Sequence, residues 1–224
     1  MAGAKDFGKA IMAAGQKLPT AGGAMRRVIE VAVDGVAGLP GARAAAASAL
    51  GKYEGDRDKA VDALITQHVA LAGAQGFATN IGGLITVAVT APANLVGAAV
   101  IQCRLVAAIA HLRGYDLNSN QVRSAILMCL LGEVSAKTLI ESGDLPSSPM
   151  GVATAPAFDR DLDKMISDKV VGQMLTSVGG KKLSVLLSKR IPIIGGGVGA
   201  INDGWTTLGI GNYARESFVD RRMR

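Results

Sequence analysis

The sequence predicts an all-α fold: a single bundle of about seven to eight closely packed, Gly/Ala-rich helices, with a Pro/Ser-rich loop near residues 144–157. Three observations predict it. Apolar residues recur at helical spacing between caps and Gly or Pro stops, and no convincing run of strands interrupts them. Hydrophobic residues make up 49% of the 224 residues and charged residues only 19%, below the roughly one quarter usual in soluble domains. Aromatic residues are scarce at 4%, whereas 29 residues are Gly. Small residues let helix backbones approach closely, the packing favoured between helices in lipid.

The first helix is predicted over 5–17, with Phe7, Ile11 and Ala14 on one face and Lys5 and Lys9 on another. A second is predicted over 24–36, stopped by the Gly38-Leu39-Pro40-Gly41 segment. The Ala-rich stretch 44–50 reads as a short helix before the polar turn Glu54-Gly55-Asp56. Asp56 caps the next helix, which is expected to reach Gln75 and end at Gly76.

The stretch 63–103 then holds 41 residues without Asp, Glu, Lys or Arg. Within it, 81–89 reads as one element, open to an extended conformation, and Thr90-Ala91-Pro92 closes it and starts a central helix running to Arg113. Those 22 residues span roughly 33 Å, long enough for a bilayer. Arg104, His111 and Arg113 interrupt the second half, and a charge at bilayer centre costs roughly 3 kcal/mol. A central bundle helix is therefore preferred over a span.

Beyond Gly114, Asn118 is the predicted cap, with Gln121 in capping-box position, of a helix reaching Ser142. Glu133 and Lys137 form an i,i+4 pair on it. After the 144–157 loop, a helix over 160–178 is expected to stop at Gly179-Gly180. A short basic amphipathic helix over 181–190 and a final helix over 196–218 follow. The domain reading is an N-terminal helical segment, 1–55, and a helical domain, 56–224, forming one folded unit.

Chemical motifs are weak. Two histidines, His68 and His111, belong to no metal-ligand spacing, so no metal site and no cofactor are expected. Cys103 and Cys129 sit in apolar helical stretches and read as small buried hydrophobes. Asp159-x-Asp161-x-Asp163 opens like a calcium loop, but Lys164 replaces the required Gly and Val170 the closing Glu. It reads as an acidic helix N-terminus complementing the helix dipole. Gly195-x-Gly197-x-x-Ala200 imitates a dinucleotide fingerprint without room for a βαβ unit, and close helix packing explains it better. No nucleophile motif accompanies either histidine, so catalytic residues are none.

Two stretches nevertheless resemble a known family. The first is Gly76-Phe77-Ala78-Thr79, Gly82-Gly83, Pro92-Ala93-Asn94, then Gln102-x-Arg104 through His111-x-x-Gly114-Tyr115-Asp116. The second is Lys189-Arg190-Ile191-Pro192-Ile193-Ile194-Gly195-Gly196, running into the terminal helix. Together they resemble the EcsC family of bacterial proteins. The resemblance implies a helical protein often associated with membranes, its founding member encoded beside an ABC exporter, and it brings no agreed reaction. Asn94 stands where an acid is expected after Pro-Ala.

Charge completes the reading. The chain carries +6, and from residue 181 onward eight Lys or Arg face three acids. Basic residues beside apolar helices suit an anionic lipid surface, at about 1 kcal/mol for each well-placed charge. Aromatic residues are not interleaved with them, which ranks nucleic acid lower. The expected function is a non-enzymatic membrane- or lipid-associated helical protein. The alternatives are a soluble oligomeric scaffold that buries its apolar helices, and a hydrolase with an unrecognised site. Candidate ligand- or lipid-binding residues are Asn94, Arg104, His111, Tyr115 and Asp116. Arg104, flanked by Cys103, Leu105 and Val106, needs a partner, an acid such as Asp116 or Asp203 being expected before a ligand. Candidate membrane-surface residues are Lys181, Lys182, Lys189, Arg190, Arg221 and Arg222. Expected partners are an anionic lipid surface or apolar ligand, a second copy of the chain, and a membrane protein. With no secretory signal in the first residues, the expected place is the cytoplasm, peripherally on the inner face of the cell membrane.

Overall fold

The computed structural model describes residues 21–36, 39–80, 83–187 and 194–221, with side chains described outside 21, 76–95, 175 and 177–202. The predicted helix over 5–17 lies outside the described residues. The fold is predominantly α, with nine helices among the described residues.

Helix α1 spans Ala21–Asp34. Two short extended pieces follow, β1 (Gly35–Val36) and β2 (Leu39–Pro40), paired antiparallel with Gly35 opposite Pro40. Strand pairing was not expected here. The pairing forces Gly35 to φ 86°, and a Cβ on Gly41 would run into the Val33 carbonyl oxygen. Both positions therefore require glycine.

Helix α2 (Ala42–Lys52) extends the predicted Ala-rich helix at both ends. Its turn uses Glu54 and Gly55 at positive φ, and the Asp56 carboxylate accepts the Lys59 backbone N–H at 3.0 Å, the predicted cap. Helix α3 (Arg57–Asn80) passes through Gly76, where a stop was expected. Helix α4 (Gly83–Leu112) is continuous, so 83–89 of the element read over 81–89 belongs to it and Pro92 does not break it. A proline costs an internal helix about 3 kcal/mol. Packing along a 30-residue helix outweighs that, because each buried Val, Leu or Ile contributes roughly 1.5–3 kcal/mol. Gly114 closes α4 at φ 89°, and Tyr115 N–H returns to the Ala110 carbonyl at 3.0 Å.

The predicted helix up to Ser142 is two helices, α5 (Asn120–Cys129) and α6 (Gly132–Glu141). Gly132, at φ 74°, turns the chain between them. The cap of α5 is Ser119 rather than Asn118; its Oγ accepts Val122 N–H and donates to Gln121 Oε1. The Glu133–Lys137 pair forms as predicted. The 144–157 loop contains a short helix, α7 (Pro149–Ala153), capped by Ser148. Asp159 caps α8 by accepting N–H from Asp161 and Leu162, so the Asp-x-Asp-x-Asp string serves a helix start. Helix α8 (Arg160–Leu187) runs through Gly179-Gly180 and absorbs the start of the basic helix expected after it. Glycine costs a helix about 1 kcal/mol, which weakens a helix without stopping it. Helix α9 (Ile194–Ser217) matches its prediction closely; it begins before Gly195, leaving no phosphate loop there.

Helix α4 is the centre. Every residue from 99 to 110 is buried, and α1, α2, α3 and α9 all pack against it. Met25, Val28, Ile29 and Ala32 of α1 join the same core as Leu64, Leu105, Ile109 and Ala214. Small residues set the closest approach: a Cβ on Gly211 would stand 3.0 Å from Ile65 and 3.1 Å from Leu105. Helices α3 and α9 run antiparallel, since Arg57 pairs with Asp220 at 2.7 Å and Asp62 with Arg215 at 2.8 Å. Gly204 also faces Val69, further along the same pair. The C-terminal end of α3 and the N-terminal end of α9 therefore lie at the same end of the pair. Among the described residues, no helix is long and apolar enough to cross a membrane.

Candidate functional site

Arg104 lies in the C-terminal third of α4, in an apolar run, and is only 4% exposed. Its expected acidic partner is absent among the described residues; its partners are a carbonyl and an imidazole. Nε donates to the Pro40 carbonyl at 2.6 Å, and Nη1 donates to His68 Nε2 at 2.8 Å. His68, on α3, is 0% exposed, and its Nδ1 lies 2.7 Å from the Leu64 carbonyl. That geometry assigns the tautomer: Nδ1–H donates to Leu64, and bare Nε2 accepts from Arg104.

The imidazole is therefore neutral. Burial pulls its pKa down to about 4, against the pull of the Leu64 carbonyl and with help from the Arg104 charge. Burial also lowers the Arg104 pKa, yet a guanidinium stays charged at neutral pH. The result is a buried cation held by two neutral acceptors. Nη2 makes no hydrogen bond within the protein among the described residues.

Arg104 forms part of the wall of a groove of about 900 Å³ between α2 and α3. The groove exists because α2 presents Ala44, Ala45, Ser48 and Ala49 along it, side chains too short to fill the space against α3. Opposite them stand Ala63, Thr66 and Gln67, with Leu39, Pro40 and Leu71 near the Arg104 end. Lys52, Tyr53 and Lys59 line the end near the α2–α3 turn. Asp62 also lines it and pairs with Arg215.

The remaining candidates do not converge on Arg104. Tyr115 is 2% exposed and packs edge-on against Phe218 at 4.9 Å between ring centroids. Asp116 is exposed and accepts the Asn118 backbone N–H, a turn-forming role. His111 is half-buried, two turns along α4 from Arg104. Asn94 belongs to α4, but its side chain lies outside the described residues. Sequence reasoning missed His68 as the partner and α2 as a groove wall. The one available signal was an Arg flanked by apolar residues, which calls for a partner without naming it.

The basic residues separate as well. Lys181 and Lys182 belong to the last two turns of α8, and Lys189 and Arg190 follow in sequence before α9; the side chains of all four lie outside the described residues. Arg221 lies at the opposite end of α9, with its guanidinium 5.2 Å from the Tyr115 ring centroid and its backbone N–H on the Arg113 carbonyl. The 24 residues of α9 put roughly 36 Å between the two ends. Arg222 lies outside the described residues.

Cys103 and Cys129 are fully buried, and burial pushes both thiols far above their ordinary pKa. With His68 engaged at both ring nitrogens, these three residues make no nucleophile–base pair. Among the described residues, no cluster of His, Cys, Asp or Glu is placed to hold a metal.

Residues 55–223 match the family model described as the EcsC protein family. No curated protein and no solved structure matches the chain.

Proposed function

From the premise that this chain belongs to the EcsC protein family, we propose that it is a non-enzymatic, lipid-associated helical protein that works peripherally at the inner face of the cell membrane. The observation that supports this reading is the shared end of the bundle. The α3–α4 connection lies within the uncharged stretch 63–103, and the α8–α9 connection carries Lys189 and Arg190 just after Lys181 and Lys182. The antiparallel pairing of α3 with α9 brings the C-terminal end of α3, which leads into the first, to the N-terminal end of α9, which follows the second. Apolar chain to insert, beside cations that attract anionic headgroups, is the composition of an interfacial site.

Vesicle co-sedimentation makes the reading measurable. Binding to anionic vesicles is expected to exceed that to neutral vesicles. Added salt should weaken it, because exposed charges are screened beyond about 10 Å at 0.1 M. Replacing Lys181, Lys182, Lys189 and Arg190 by Gln should lower the anionic preference at least tenfold, given about 1 kcal/mol for each charge that reaches the surface. Equal binding to neutral and anionic vesicles at low salt refutes the reading. Arg221 belongs to the other end, and its replacement by Gln should leave vesicle binding unchanged.

A further inference from the structure

We propose that the groove between α2 and α3 is a binding site for a single-chain anionic amphiphile, with its phosphate or carboxylate head on Arg104 and its apolar chain along the alanines of α2. The assignment is independent of the membrane reading above, because it concerns a different face and a ligand free in solution.

The head position follows from the charge on Arg104. A buried guanidinium is costly to desolvate, and neutral acceptors offset less of that cost than an anion does. Two of its nitrogens are fixed, Nε on the Pro40 carbonyl and Nη1 on His68, which sets the plane of the group. Nη2 has no protein partner among the described residues and belongs to a side chain in the groove wall. Planar, oriented N–H donors of this kind match carboxylate and phosphate oxygens. His68 cannot compete for the anion, because its bare Nε2 already faces Arg104.

The chain position follows from the walls. From Ala45 to Lys52, α2 advances roughly 10 Å, and Ala45 and Ala49 present only methyl groups over this length. A groove of about 900 Å³ is far larger than a bare phosphate needs and lies within the range of organic ligand sites. The lining offers a cationic head little. Its acid, Asp62, is engaged by Arg215 at 2.8 Å, and the far end carries Lys52, over the Tyr53 ring, and Lys59, paired with Asp56 at 2.9 Å.

Calorimetric titration with decyl phosphate, decyltrimethylammonium and inorganic phosphate, each below any micelle concentration, tests the proposal. Decyl phosphate should bind one to one, at least tenfold tighter than inorganic phosphate, and decyltrimethylammonium should not bind. Ser48→Trp, an exposed position in the groove wall away from Arg104, should weaken decyl phosphate at least tenfold without changing the melting temperature. Arg104→Met should do the same to affinity. The variant with Gln at 181, 182, 189 and 190 should bind like the parent. Inorganic phosphate binding as tightly as decyl phosphate would reduce the site to a free-anion site and overturn the amphiphile. Equal affinity for the cationic detergent would remove Arg104 from recognition. Undiminished affinity in Ser48→Trp, or lost affinity in the quadruple Gln variant, would move the ligand elsewhere and refute the assignment.

Discussion

His68 should make a separable contribution to the acid destabilisation of this protein, in a defined window. The folded state holds His68 neutral, with its pKa lowered from 6.5 to about 4. Above pH 6.5 the imidazole is neutral in both folded and unfolded chains and contributes no pH dependence. Between pH 6.5 and 4 the unfolded chain takes up a proton that the folded chain refuses, so stability falls as acid is added. Below about pH 4 both states are protonated and the loss is complete. A fall from 6.5 to about 4, at about 1.4 kcal/mol for each pH unit, amounts to about 3 kcal/mol. The physical source is that an imidazolium at this position would be fully desolvated and face the Arg104 guanidinium across 2.8 Å. The assay is urea unfolding at half-unit intervals from pH 4 to 8, on the parent and on His68→Gln. Glutamine offers an amide oxygen to Arg104 and an N–H to the Leu64 carbonyl, but does not titrate. Carboxylates that titrate in the same window contribute equally to both profiles and cancel in the difference. The parent should therefore lose about 3 kcal/mol more than the variant between pH 7 and 4. Parallel profiles would refute the neutral, Arg104-facing imidazole.

Two further substitutions test the packing. Gly211→Val puts a branched side chain where a Cβ alone would stand 3.0 Å from Ile65 and 3.1 Å from Leu105; it should cost about 2 kcal/mol by overpacking, read as a lowered urea midpoint with unchanged slope. Asp220→Ala removes the carboxylate that Arg57 engages at 2.7 Å and that lies 3.9 Å from Arg113. It should cost about 2 kcal/mol at low salt, and 1 M salt should leave most of that loss in place because Asp220 is largely buried.

Local chemistry made some elements readable and others not. Asp56, Gly114 and the Glu133–Lys137 pair act within one or two turns of chain, so their roles were visible from spacing alone. Pro92 and Gly179-Gly180 carry equally local signals for a stop, yet α4 and α8 continue through them. A stop signal is worth about 1–3 kcal/mol, and long helices docked on a common core exceed it. Gly132 shows the opposite error: a glycine inside an apolar run reads as tolerated, and only its positive φ reveals the turn. Arg104 was legible as a residue in need of a partner because its flanks are apolar. The partners were not legible. His68 lies 36 positions away on another helix, and Pro40 contributes a backbone carbonyl, which no side-chain pattern announces. The groove was hidden for a related reason, since it is made by what the alanines of α2 lack.

The local architecture around Arg104 favours a recognition role over a purely structural one. A leucine at 104 would continue the buried run of Cys103, Leu105 and Val106, and apolar replacements of buried charge are often neutral or stabilising. The chain instead places a guanidinium there and organises separate elements to aim it. The β1–β2 pairing, with Gly35 at φ 86° and a Gly41 that admits no Cβ, holds the Pro40 carbonyl 2.6 Å from Nε. Helix α3 supplies a histidine locked in one tautomer by its own backbone. Both partners are acceptors without charge, so they orient the cation and leave its charge unneutralised. An acid in either place would have made the pair internally complete and the groove indifferent to anions. The feature that weakens the fold, a buried cation without a counter-charge among the described residues, is the one that would let the groove recognise an anionic head.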